Sequence, residues 1–305
     1  MDRVRRQIHY EYIERLGLTG RNRTVCVLDT GISPHYDFDS RIIKYIDFTE
    51  HSLQYIHDDS GHGTHVCGIL AGSGRASQGL YKGIAPQANL VVLKILDKKG
   101  NGYIDTLIEA LQWLTVHAIK YGICVVNISI SISHVSSLST DEEKKRRLKN
   151  VLKKLYDQNV LIVTAAGNEG PDNDSLSVLG EQPYTLCVGC HDGNYKSHKG
   201  ELCEYYSGRG TYNGKIIKPD MVAPGTEIIS CQGKSRYGYT KKSGTSMSCP
   251  IISGIAVNLF ELMDKKAGVD EISDIMRHGT IYVHAPRNQQ GFGMVDCKKI
   301  FEPFC

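Results

Sequence analysis

Five short apolar runs punctuate the chain, at residues 24–28 (TVCVL), 90–95 (LVVLKI), 124–128 (CVVNI), 160–164 (VLIVT) and 184–188 (YTLCV). Each is continuous rather than alternating, which predicts strands covered on both faces. Between them the hydrophobic period lengthens to that of a helix. Over 105–120 the residues Leu107, Ile108, Leu111, Leu114 and Ile119 fall on one broad stripe. Over 141–158, Leu148, Val151, Leu152 and Leu155 oppose a strongly charged face. Another helix is predicted to open at His62 and run through Val66, Ile69 and Leu70, and a last long one over about 246–263.

Strand and helix in alternation predict an α/β fold: one domain over residues 1–305, a mostly parallel central sheet, and helices on both faces. Residues 1–20 read as a helical extension of that domain. No internal repeat, low-complexity tract or Pro/Gly linker divides the sequence. In such a sheet, functional side chains gather where strands end and helices begin.

Composition narrows the function classes. With 41% hydrophobic and 23% charged residues the chain is of ordinary globular make-up. Its net charge of +3 gives no reason to expect nucleic acid or an anionic membrane as a partner. Arg3, Arg5 and Arg6 read as a solvated helix start. No apolar stretch is expected to reach the roughly 18 residues of a membrane span. The opening segment lacks the apolar region of a signal peptide, although a processed secreted chain would look the same. Of the ten cysteines, Cys26, Cys124 and Cys187 sit in apolar runs, where a thiol behaves as a small buried hydrophobe. Reduced cysteines in a cytoplasmic protein are the expectation.

Three blocks fall at strand-to-helix junctions. In VCVLDTGISPHYDF, Asp29 ends a buried strand; alone it reads equally as a turn or a helix cap. In DSGHGTHVCGILAG, small residues flank His62. His65 follows at a spacing of three, which lacks the i,i+4 pair and intervening Glu of a metalloprotease helix. In SGTSMSCPIISGIAVNLF, Ser246 opens an apolar helix, a place usually taken by a capping hydroxyl. A nucleophile there would instead exploit the positive end of the helix.

Together, and in the order Asp, His, Ser, the three blocks resemble the subtilisin-like serine proteases (peptidase S8) from the LGLTG stretch before Asp29 to GFGMVDCKKIF near the end. The resemblance implies a serine endopeptidase with Asp29, His62 and Ser246 as catalytic triad. VTAAGNEGP is similar to the family's oxyanion segment, which implies Asn168 as side-chain donor. An extended peptide substrate would pair with Gly100-Asn101-Gly102 and Ser129-Ile130-Ser131. Ser131 stands where relatives usually carry glycine. Glu169, Asp172 and Asp174 crowd the segment after Asn168 and either favour basic residues before the cleaved bond or face solvent.

The resemblance also brings departures. Asp37 matches an acid that ligates calcium in many relatives, but GSGRASQGLYKGIAP lacks the usual Asn-containing ligand loop, so no cofactor is expected and calcium is not supported by the ligand pattern. Only 28 residues precede Asp29, too few for the family's propeptide: either the chain folds without one, or it has been trimmed, or a propeptide is supplied separately, so a separate propeptide or inhibitor is one of the expected partners. Cys67 and Cys249 lie close in sequence to His62 and Ser246 and are expected to be packing residues. CVGCH at 187–191 matches a haem-attachment pattern, which its apolar strand context opposes. Two other functions fit the same residues: a silent peptide-binding pseudoprotease, and a transpeptidase. Hydrolysis by an intracellular processing or regulatory protease is the reading carried forward.

Overall fold

The structure, a computed structural model, describes residues 1–49, 55–130, 141–211, 217–264 and 267–305. Its strands are β1 (Thr24–Asp29), β2 (Ile42–Asp47), β3 (Asn89–Lys94), β4 (Ile123–Ile128), β5 (Leu161–Ala165), β6 (Leu186–Cys190), β7 (Met221–Ala223), β8 (Ile228–Cys231), β9 (Tyr239–Lys242), β10 (Thr280–Ile281) and β11 (Met294–Val295). Its helices are α1 (Asp2–Gln7), α2 (Glu11–Arg15), α3 (His62–Ala71), α4 (Ile104–Tyr121), α5 (Glu142–Asp157), α6 (Thr245–Met263), α7 (Val269–His278), α8 (Arg287–Gln290) and α9 (Cys297–Phe301).

Nine strands form one sheet in the order β10-β11-β7-β6-β5-β4-β1-β3-β2. Every pairing is parallel except β10 with β11. The expectation of a mostly parallel sheet holds. β8 and β9 make a separate antiparallel hairpin.

Strand β1 shows why its residues had to be apolar in succession. Successive side chains point to opposite faces. Val25 and Val27 join the core that contains Val66, Ile69 and Leu70 of α3 and Ile251, Ile252 and Ile255 of α6. Cys26 and Leu28 join a second core with Leu107, Leu111 and Leu114 of α4 and Leu148 and Leu152 of α5. β1, in mid-sheet, carries Asp29 to the carboxyl edge between the two cores.

Several expectations need correction. Ile119, placed on the buried stripe of α4, is 82% exposed; Ala118 continues the stripe instead. The run expected at 184–188 forms a strand only from Leu186 to Cys190. Arg3 is not a free solvated residue, since it pairs with Asp192 at 2.5 Å and donates to Thr226 O. Helix α6 does reach span length by composition, but 78% of its apolar window is buried inside the domain. It is the central core helix. Helix α7 was not foreseen, though Val269, Ile272, Ser273 and Met276 are its buried face.

Candidate active site

Asp29 is fully buried at the end of β1. Its Oδ1 accepts the Thr30 backbone N–H at 2.7 Å and a hydrogen bond from His62 Nδ1 at 2.7 Å. A carboxylate can only accept, so the proton of His62 lies on Nδ1 and Nε2 is left as the basic atom. Gly63 makes the approach feasible. A Cβ there would stand 2.2 Å from Gly31 O and 3.2 Å from Asp29 Oδ1.

Burial acts to lower the His62 pKa. The charge and hydrogen bond of Asp29 oppose it and win, with Lys242 lowering and Asp58 raising to a smaller extent. The outcome is a pKa above the ordinary 6.5. His62 is also the one residue of α3 that is not buried, its side chain 25% exposed. His65, the competing histidine, is sealed in the core. Its Nε2 faces Ile228 O at 3.0 Å and Thr240 O at 3.2 Å, and burial first, then Lys242 and His62, hold its pKa down to about 3. It has no access to substrate.

Ser246 has the matching pattern. From Gly244 to Phe260 every residue is buried except Ser246. Gly244, at φ 144°, makes the turn into the helix. Pro250 has no N–H for the Ser246 carbonyl, and side chains anchor the first turn instead. Thr245 Oγ1 bonds Gly167 at 3.2 Å, and Ser248 Oγ donates to Ala223 O at 2.9 Å. Cys249 Sγ and Ser253 Oγ both donate to Asn127 Oδ1 on β4, at 3.3 and 2.9 Å. Among the described residues no hydrogen bond joins His62 Nε2 to Ser246 Oγ. Such contacts are often long without substrate and tighten when it binds. Helices α3 and α6 pack together, and each exposes a single residue at its amino-terminal end.

Asn168 follows β5 and is exposed. One of its amide atoms receives the Thr245 backbone N–H at 3.0 Å and faces Thr245 Oγ1 at 3.1 Å. An N–H must meet an acceptor, so that atom is Oδ1, and Nδ2 is the end left to donate elsewhere. Anchoring through Thr245 fixes the amide one residue from Ser246.

A cleft of about 410 Å³ brings His62, Gly100, Gly102, Ser129 and Ile130 together, floored by Leu96 and Leu107. Asn101 is not among its walls. Its N–H donates to Asp97 Oδ1 and its carbonyl accepts the Asp97 N–H, both at 2.8 Å. The N–H is thereby committed to the turn, while the carbonyl keeps a second lone pair. Ser131 lies outside the described residues. Glu169, Asp172 and Asp174 are all exposed, and Thr211 Oγ1 donates to Asp174 at 2.6 Å.

The surroundings of Asp37 do not suit calcium. Its Oδ1 accepts the Ala76 N–H at 2.9 Å and its Oδ2 accepts Tyr239 Oη at 2.7 Å and Cys231 Sγ at 3.6 Å. The shell consists of donors, whereas calcium demands oxygen acceptors. Asp192, beside Cys190 and Cys203, is likewise taken by Arg3 and by the N–H groups of Gly225 and Thr226. Cys187 and Cys190, three apart on β6, point to opposite faces, so the haem-like pattern offers no shared site. Cys67 and Cys249 are fully buried, and burial raises both thiols, Cys249 to about 12.

Sequence reasoning missed Asp58, which is buried between β1 and α3 with four donors on its carboxylate. Standing just before DSGHGTH, the first of two adjacent acids, it looks like an ordinary loop residue. Its only signal is its place four residues before His62.

Comparison with known proteins adds three findings. Residues 20–293 match the model of the subtilase family. The chain is 35% identical over 300 residues to serine protease AprX of Bacillus subtilis (strain 168), covering 92% of this chain and 66% of that one. It is 31% identical to the intracellular serine protease of Paenibacillus polymyxa, over 77% of this chain and 65% of the other, and 30% identical to the minor extracellular protease Epr of Bacillus subtilis (strain 168), over 93% and 39%. It thus spans two thirds or less of the length of these relatives. Among solved structures, sphericase superposes with a TM-score of 0.77 at 25% identity, covering 92% of each chain.

Proposed function

The chain belongs to the subtilase family, and on that premise we propose that it is a serine endopeptidase that cleaves peptide bonds through an acyl-enzyme on Ser246. Ser246 Oγ attacks the scissile carbonyl while His62 Nε2 takes its proton and then gives it to the leaving amine. Asp29 holds the imidazole with its proton on Nδ1 and stabilises the imidazolium. Asn168 Nδ2 and the Ser246 N–H donate to the tetrahedral oxyanion, at the positive end of α6. Water then releases the acyl group by the same route in reverse.

The observation that carries this reading is the Asp29–His62 hydrogen bond at 2.7 Å, which leaves Nε2 as a base on the one residue of α3 that is not buried. The substrate is an extended peptide lying along Gly100 and Gly102 on one side and Ser129 and Ile130 on the other. We place the enzyme inside the cell as a processing or regulatory protease. Supporting this, all ten cysteines are free and only Cys305 is exposed, a pattern of reducing compartments.

The test is digestion of an unstructured protein in ¹⁸O-labelled water by the wild-type chain and by Ser246→Ala. New carboxyl termini carrying ¹⁸O in the wild type alone support hydrolysis at Ser246. Peptide products joined to a supplied amine, without ¹⁸O, would make the protein a transpeptidase. Equal cleavage by both chains would overturn the role of Ser246.

A further inference from the structure

Asp29 and His62 come from different elements, and something must hold the end of β1 against the start of α3. Their mutual hydrogen bond joins two side chains and does not by itself fix the backbones that carry them. Asp58 lies at the junction, 2% exposed, and each of its oxygens takes two donors. Oδ1 accepts Thr30 Oγ1 at 2.8 Å and the Gly61 N–H at 2.7 Å. Oδ2 accepts the Thr64 N–H at 2.8 Å and Thr64 Oγ1 at 2.6 Å. Thr30 is the neighbour of Asp29, and Gly61 and Thr64 bracket His62. Two further links close the joint: Gly63 N–H donates to Thr30 Oγ1 at 2.9 Å and Ser33 N–H to Thr64 Oγ1 at 2.9 Å.

We propose that Asp58 is a positioning residue for catalysis, its one carboxylate clamping the Asp29 strand to the His62 helix. This rests on His62 being the general base, as proposed above. The clamp is specific to a carboxylate. All four incoming groups are donors, so the amide of Asn would turn an N–H against one pair and release either the strand or the helix. The clamp also keeps a negative charge close to the imidazole. The charged groups facing His62 are Asp29, Lys242 and Asp58, and the loss of Asp58 leaves Lys242 opposed by Asp29 alone.

The experiment compares wild type, Asp58→Asn and Thr30→Val on a fluorogenic peptide, with kcat, KM and the pH profile read per folded molecule from circular dichroism and urea melts. Asp58→Asn is expected to lose about 10- to 100-fold in kcat, the scale of a misplacement near 1 Å. KM should stay within about twofold, and the acid limb of kcat should move to lower pH. Thr30→Val removes the strand's hydrogen bond to Asp58 together with the acceptor of the Gly63 N–H, and keeps the charge. It is expected to lose kcat by a smaller factor with the acid limb in place. Wild-type kcat and acid limb in Asp58→Asn overturn the proposal, as does a loss that follows only the unfolded fraction. If Asp58→Asn does not fold, Thr30→Val decides, and full activity there overturns the clamp. A wild-type chain that takes no fluorophosphonate adduct overturns the serine-protease reading itself, a result separate from any difference between the variants.

Discussion

His62 Nδ1 donates to Asp29 Oδ1 at 2.7 Å across the junction of β1 and α3. The bond sets the tautomer, and the carboxylate outweighs the burial that would otherwise lower the imidazole's pKa. Both effects can be measured.

The pH profile comes first. A base works only when neutral, so activity should fall on the acid side with an apparent pKa above 6.5. Asp29→Asn should move that limb to lower pH and lower kcat by about 10⁴-fold. For stability the sign is opposite to that of activity. A raised folded-state pKa means the pair's contribution is fully present below pH 6.5 and is lost as pH rises through the folded value. A urea-midpoint series on wild type and Asp29→Asn, converging at high pH, checks it.

Asn168 should matter to the transition state alone. Its Oδ1 is anchored by Thr245, leaving Nδ2 for the oxyanion. Asn168→Ala is expected to lower kcat by about 10²–10³-fold with little change in KM. Ser246→Ala should lose about 10⁶-fold. Steady-state kinetics on one peptide would show the gap; equal losses would refute the division of roles.

His65 is expected to contribute to acid sensitivity rather than to chemistry. Its folded pKa is held at about 3, against an ordinary 6.5. Between those values the unfolded chain binds the extra proton, so stability falls as pH drops through that window. The loss is on the order of 5 kcal/mol. In His65→Gln the urea midpoint should depend less on pH between about 6.5 and 4, the range in which unfolded His takes up its proton. An unchanged slope would contradict the assignment.

Asn127 ties the nucleophile helix to the substrate side of the sheet. It accepts from Ser253 and Cys249 and donates to Ser129 Oγ at 2.9 Å, all buried. Asn127→Ala strands those partners and should cost about 2–4 kcal/mol in urea unfolding. A loss below about 0.5 kcal/mol, the scale of an ordinary surface substitution, would show that the network is not cooperative.

The central strands were legible because β1, β3, β4 and β5 are buried on both faces and so are continuously apolar. β2 was not, since IIKYID is a half-exposed edge strand without such a run. β7, β10 and β11 span two or three residues, too few to carry a period. At the site, Asp29, His62 and Ser246 were singled out by the resemblance of their three blocks, in that order, to one family, since Asp29 alone reads equally as a turn and Ser246 as a cap. The use of Asn101 in its own turn and the clamp at Asp58 could not be read, because both depend on which backbone donors a fold brings to one carboxylate.

The most direct test of an activated Ser246 is fluorophosphonate labelling of the wild-type chain and of Ser246→Ala, read by intact mass. A single adduct on the wild type, absent from the mutant, is the predicted result. A folded wild-type chain that takes no adduct, or a mutant that still takes one, would contradict it.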